Sequence, residues 1–279
     1  MDESLRLYLE DMRGLLSSGR PLSSSMLRSA RERTCAALYA LPSAGQNAVI
    51  AFLRETQLDS SLLAGAALPG IRLSGAALER VNLFGANLRG ANLRAASLAG
   101  ADLSHADLSE TELKRTSFIG ACLRAASFRR AKFYENDLRF ADAPGACFVE
   151  ADIDDADLTG ACLRGADFSR ASLTACLMDA DLSGALLAGA DLGWRVEVTE
   201  TDGSITHQGA ANLACADLTR ADFTGASLRA ANLYKARLRG AILTGADLSE
   251  AILTGAEVTP GQLGSAASLL GAILPGEYR

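Results

Sequence analysis

The sequence predicts an all-β solenoid: a four-sided β-helix of stacked five-residue repeats, set between helical ends. Three observations predict it. From Leu63 to Val258 a Leu or Phe recurs nearly every fifth residue, as at Leu68, Leu73, Leu78, Leu83, Leu88, Leu93 and Leu98. Two positions before most of them stands Ala, as at Ala66, Ala76, Ala86, Ala91, Ala96, Ala101 and Ala106. Hydrophobic residues make up 49% of the chain while aromatics are only 5%, so the apolar content is mostly Ala and Leu. An ordinary globular core draws more on large residues.

A period of five fits neither the 3.6 of a helix nor the 2.0 of a strand. It fits a chain that turns a corner once per repeat, so that four repeats close one square coil. The central Leu or Phe and the Ala two before it then face inward, and the other three residues face solvent. Ala is needed because four walls converge on a narrow axis. Coils stacking at about 4.8 Å, the usual spacing of paired strands, would give about nine coils and a rod of roughly 44 Å.

Residues 1–60 lack the repeat and read as a helical cap or docking domain. SLRLYLEDMRGLL has apolar residues at helical spacing; SSSMLRSARERTCAALYAL opens on serines suited to an N-cap and ends before Pro42; SAGQNAVIAFLRETQL gives a third helix. A β-solenoid leaves unpaired strand edges at its ends, and covering them is one role for these helices. Docking a partner is the other. The N-terminus is acidic from its second residue, which predicts no secretory leader. No run approaches the 18 apolar residues of a membrane span. With six cysteines (Cys35, Cys122, Cys147, Cys162, Cys176, Cys215) and no C-x-x-C pair, free thiols in a cytoplasmic protein are expected.

Within residues 61–258 the coil register makes specific statements. Phe128, Phe148 and Phe168 are spaced by one coil and should stack inside. The outward column Asn82, Asp102, Cys122, Asp142, Cys162, Asp181 puts Cys122 and Cys162 two coils apart, too far for a disulfide. No His joins that column, and no metal site is expected. Three departures interrupt the pattern. Ala143 takes a central position and Pro144 follows it, which predicts a local bulge or dent. After Leu173 the spacing drops to four, with Leu177 next, a deletion to be absorbed at a corner. The largest break, over 193–209, contains GWRVEVTETDGSITHQ, with Asp202-Gly203 between alternating segments, a strong hairpin signature. It either replaces a coil or projects as a hairpin. Residues 259–279 read as a short helix after Pro260, then a tail.

The A-[DN]-L-x-x units, as in GANLRGANLRAASLAGADLSHADLS, resemble the pentapeptide-repeat family. The resemblance implies a right-handed quadrilateral β-helix and a protein-binding rather than catalytic role. The helical N-terminal segment is similar in arrangement to one that precedes the repeats in some bacterial members. Some members protect type II topoisomerases from quinolones, and their acidic rods have been read as DNA mimics. Terminal helices in others mediate dimerisation, so a homodimer through a terminal helical segment is a further expectation.

The residues themselves offer no chemistry. The two histidines, His105 and His207, are far apart, and no G-x-S-x-G elbow, P-loop, H-E-x-x-H motif or dinucleotide fingerprint is present. The chain is expected to be no enzyme, to need no cofactor and to bind neither nucleic acid nor membrane directly, with a net charge of −6. B-DNA of about 44 Å carries roughly 26 charges, so the rod is a weak mimic as a whole. A denser acidic patch, spread across adjacent faces, is formed by Glu150, Asp152, Asp154, Asp155 and Asp157. The expected partner-binding element is the insertion, through Trp194, Arg195, Glu197, Glu200, Asp202 and His207, since interfaces draw on aromatic and Arg anchors. Two partner readings stand: DNA gyrase or topoisomerase IV, and an adaptor that docks other proteins through the N-terminal helices and the rod.

Overall fold

The computed structural model describes residues 2–17, 22–193, 195–198 and 205–278, the stretches 59–60, 195–198 and 205–208 by backbone alone. Three helices come first: α1 (Glu3–Leu16), α2 (Ser24–Ala40) and α3 (Ser43–Glu55). Asp2 caps α1 by accepting from the Ser4 and Leu5 amides, and Ser23 caps α2 through Met26. A fourth, short helix, α4 (Asp59–Leu62), leads into the repeats and was not expected from the sequence.

From Ala67 onward the chain climbs by a parallel ladder with a period of twenty. Asn82 bridges to Asp102, Asp102 to Cys122, Cys122 to Asp142 and Asp142 to Cys162. Each rung has two hydrogen bonds per side: Leu103 N–H to Cys122 O at 2.8 Å and Cys122 N–H to Ala101 O at 2.9 Å are typical. At each regular corner the Ala amide closes a β-turn on the preceding central carbonyl, as Ala106 does on Leu103 at 3.0 Å. The residue before that Ala takes a positive φ, as Gly120 does at 60°, which the second central position of a type II turn requires. Each circuit therefore turns four corners. Sides 1 to 4 are defined by Leu103, Leu108, Leu113 and Phe118, with their partners one circuit away.

The repeat motif has a hydrogen-bond logic beyond apolar spacing. The first corner residue donates nothing to the ladder, and its amide would be left unsatisfied. The Asp or Asn of A-[DN]-L accepts it instead: Ser104 N–H to Asp102 Oδ1 at 3.0 Å, Thr219 to Asp217 at 3.0 Å, Ser249 to Asp247 at 2.9 Å. This explains why Pro144 makes no bulge, contrary to expectation. Pro144 stands at that first corner position, where an amide is not needed, and the ladder runs past it with Ala143 N–H on Cys162 O at 2.8 Å. Asp142, freed from capping, takes Arg124 Nε at 2.7 Å.

The core is one continuous column in which the central and Ala positions are almost fully buried. Phe128, Phe148 and Phe168 stack as expected, with centroids 5.1 and 4.7 Å apart and nearly parallel rings. Phe133 closes on Phe128 from the neighbouring side 3 and Phe118 from the opposite side 4. The same cluster continues into Leu38, Ile50 and Leu53 of the helices. α3 also covers the bottom rung: Asn47 Oδ1 accepts the Ala77 amide at 3.2 Å, a donor with no strand beneath it.

The C-terminal end is handled by a second set of side chains. Helix α5 (Pro260–Gly264) begins with a capping box of Thr259 and Gln262. The Gln262 amide then covers the Leu238 and Ala241 carbonyls at 2.6 and 2.8 Å, and Tyr278 Oη donates to Val258 O at 2.9 Å. Beyond α5 the chain is more than a tail, because Ser268 and Ile273 return to the ladder opposite Asp247 and Ile252. All six thiols are free.

A candidate interaction edge and the family it belongs to

The edge between sides 3 and 4 collects nearly every irregularity in the tower. Its first is at Asn136, which fills a wall position normally held by Ala. The Asn136 side chain is buried and reaches the carbonyls of Leu113 and Thr116, and its Oδ1 accepts the Tyr134 amide at 2.6 Å. The corner opens, and the chain there forms a short strand, β1 (Lys132–Tyr134), paired in parallel with β2 (Asp152–Asp154). One circuit higher, Asp154 turns inward and accepts from Ser172 Oγ at 2.8 Å and Thr174 Oγ1 at 2.6 Å. The single-residue deletion falls on the same edge: Asp152 bridges to Ser172 at twenty, but Asp157 to Cys176 at nineteen.

The insertion follows on that edge. Its corner starts normally, with the Gly193 amide on Asp191 Oδ1 at 3.0 Å. The chain then forms an antiparallel pair, β3 (Arg195–Val198) with β4 (Ile205–Gln208), in which Arg195 faces Gln208 and Val196 faces His207. Ala211 N–H closes on Leu192 O at 2.9 Å, the bond that would close an uninterrupted corner. Rung partners on either side of the insertion are Cys176 with Asn212 and Asp191 with Ser227. The extra residues are thus added within one corner and replace no coil. Of the expected contact residues, Arg195, Glu197 and His207 are placed on this hairpin, while Trp194, Glu200 and Asp202 lie outside the described residues. At its foot a groove of about 350 Å³ is lined by Asp155, Asp157, Thr174, Cys176, Gly209 and Asn212, among others.

The five acidic residues are spread across adjacent faces, as the coil register predicts. Glu150 lies on the edge between sides 2 and 3, Asp152 on side 3, Asp154 and Asp155 on the insertion edge, and Asp157 on side 4. Glu150 is enclosed by Arg130 at 2.6 Å, Arg129 at 3.3 Å and Arg170 at 3.8 Å, and hydrogen bonding to Arg130 holds its carboxyl below the usual range. Asp157 is bound by the Thr159 amide and hydroxyl, with Arg139 at 3.8 Å. Asp155 is different: burial pushes its carboxyl up, and Asp154 and Glu135 push it further.

Large apolar residues that the sequence reading did not single out are exposed elsewhere on the rod. Phe140, 65% exposed, lies over Gly160 on the edge between sides 4 and 1, where Ile119, Met178 and Tyr234 are also exposed. Bulky apolar residues at corner positions, which a core-only reading passes over, were the available signal.

The five-residue units match the family model described as pentapeptide repeats at residues 56–98, 76–115, 96–133, 111–148, 151–174, 210–240 and 231–259, more than half of the chain. The chain belongs to the pentapeptide-repeat family. No curated protein matches the chain. Among solved structures, HetL, a pentapeptide-repeat protein involved in heterocyst differentiation regulation in the cyanobacterium Nostoc sp., is 29% identical. The match covers 81% of this chain and 96% of that one, with a TM-score of 0.40. A pentapeptide-repeat protein of the Arabidopsis thaliana thylakoid lumen is 28% identical over 42% of this chain and 86% of its own, at 0.30. QnrB1, a plasmid-mediated fluoroquinolone resistance protein, is 20% identical over 76% and 92%, at 0.33.

Proposed function

We propose that this pentapeptide-repeat protein is a non-enzymatic scaffold that binds a protein partner through its insertion edge, with the hairpin foremost. One observation carries the reading. The hairpin is added inside a corner while the ladder beneath it stays complete, from Asp191 to Ser227 and from Leu192 O to Ala211 N–H. A segment that the tower does not need for its own pairing is free to serve another purpose. The opened corners and the groove below it continue the same edge. The right-handed sense and the count of about nine coils go with this proposal, as does a cytoplasmic setting.

DNA gyrase or topoisomerase IV is the narrower candidate partner, as implied by the family resemblance. The charge arrangement argues that such binding would not work by imitation of DNA. Glu150 is surrounded by three arginines, and Arg115, Arg124 and Arg164 each take a carboxylate one rung away, leaving a surface of paired charges. Such pairs are worth little in stability but cancel the field a polyanion mimic needs. An adaptor docking other proteins through α1 to α3 and the rod is the alternative.

Deleting residues 194–208 and joining Gly193 to Gly209 tests the proposal. The shortened protein is expected to fold but to lose partner capture, and to lose any protection of gyrase supercoiling against a quinolone. Full-strength capture by the deletant overturns the role of the hairpin. Protection absent from both proteins removes the topoisomerase reading and leaves the adaptor.

A further inference from the structure

Through the middle of the tower the arginines are matched within the protein. From Arg115 to Arg170 each lies within ion-pair distance of a carboxylate, such as Arg115 with Glu135, Arg130 with Glu150 and Arg139 with Asp137. Arg220 and Arg239 depart from this. Neither has a carboxylate at ion-pair distance among the described residues. They are rung neighbours on the edge between sides 1 and 2, where the Arg220 amide donates to the Arg239 carbonyl at 3.0 Å. Both line one concavity of about 670 Å³ together with Ser183, Gly184, Thr219 and Gly240.

The carboxylates around this groove are already engaged. Asp181 pairs with Arg164 and accepts the Ser183 amide. Asp217 accepts the Thr219 amide at 3.0 Å and lies 3.5 Å from Arg237. Glu257 and Glu277 share a separate concavity with Arg239, beyond Gly240, but stay outside ion-pair range. The Thr219 hydroxyl is also uncommitted. Thr159 and Thr224, at the same corner position, donate their hydroxyls to the preceding Asp at 2.6 Å, whereas Thr219 makes no such bond among the described residues. Gly184 and Gly240 hold positive φ, and a Cβ added at Gly184 would meet nothing within 4 Å. The groove is therefore floored by glycine corners and flanked by two unmatched guanidiniums and a hydroxyl.

We propose that this groove binds a phosphate monoester. Guanidinium offers planar paired N–H donors that match phosphate oxygens two at a time. Two of them, rooted about 4.8 Å apart on adjoining rungs, match a group carrying about −1.5 to −2 charge at neutral pH; a carboxylate carries half of that. Among the described residues no aromatic side chain lines the groove, so recognition is directed at the phosphate and includes no stacking on a base. The site lies on a different edge from the hairpin and does not depend on the scaffold reading.

Inorganic phosphate and O-phospho-L-serine are the probes, titrated into the full chain and followed by 31P NMR and by melting temperature. Saturable binding is expected, stronger at pH 7.5 than at pH 5.5 because the second phosphate ionisation lies near pH 6. A double Arg220→Ala, Arg239→Ala variant should lose at least tenfold in affinity, while Arg94→Ala, which removes an exposed guanidinium from another edge, should not. A gain for phosphoserine over inorganic phosphate assigns the site to modified side chains, and equal affinity assigns it to small phosphates. Non-saturable binding, equal binding of acetate, or equal loss with Arg94→Ala overturns the proposal. Circular dichroism of the double variant, expected to match the parent, separates lost binding from lost fold.

Discussion

Two edges of the same tower respond to sequence departures in opposite ways. On the edge between sides 1 and 2, Pro144 follows an undersized central residue, Ala143, yet the rungs on both sides keep their bonds at 2.7 to 3.0 Å. On the edge between sides 3 and 4, Asn136 opens a corner, a residue is missing after Leu173 and a hairpin is inserted after Gly193. The difference lies in which backbone group each change touches. Pro144 removes an amide that only an Asx side chain would have used, so the wall does not register it. Asn136 sits on the wall itself, where an Ala amide normally closes the turn, and its own side chain supplies a competing set of bonds. Corner positions absorb change; wall positions transmit it.

The largest expected effect concerns the wall. Phe148→Ala removes the middle ring of the stack, fully buried between Phe128 and Phe168, and should cost about 3–5 kcal/mol in denaturant unfolding. A loss below about 1 kcal/mol would break the comparison, since the wall would then be as tolerant as a corner. Asn136→Ala comes next. Restoring the repeat residue strips three hydrogen bonds from the opened corner, and a loss of about 1–3 kcal/mol is expected. Unchanged stability would mean that the corner closes into a regular turn, in which case one residue sets the shape of that edge.

Smaller effects belong to corners. Gly145 has φ +66°, and a methyl group placed on it would meet nothing within 4 Å, so Gly145→Ala should cost only the left-handed strain, about 1 kcal/mol in denaturant unfolding. Other corners hold a positive φ without glycine, among them Arg130, Glu150 and Lys235, which is why no larger loss is expected. The smallest effect is that of deleting residues 194–208. With the ladder continuous beneath the hairpin, the melting temperature should shift by no more than a degree or two. A large drop would place the hairpin among the elements that hold the tower together.

The sequence by itself determined the wall. A period of five with Ala two before each Leu or Phe leaves few ways to bury both, and the stacked position of Phe148 follows from counting by twenty. The hairpin was legible from Asp202-Gly203 between alternating residues, and the free amide at each corner was implicit in A-[DN]-L once the ladder was drawn. Tertiary structure decided the rest. Whether the insertion replaced a coil depended on which amide closes on Leu192 O, a contact between residues that local pattern does not join. The spread of the five acidic residues over adjacent faces followed from the register, but Glu150 met Arg130 and Arg170 only through rungs twenty residues away. Periodicity fixes which residues face inward. Which charges become neighbours outside depends on how whole circuits stack, and the deletion and the insertion each change the spacing of rung partners for one circuit before it returns to twenty.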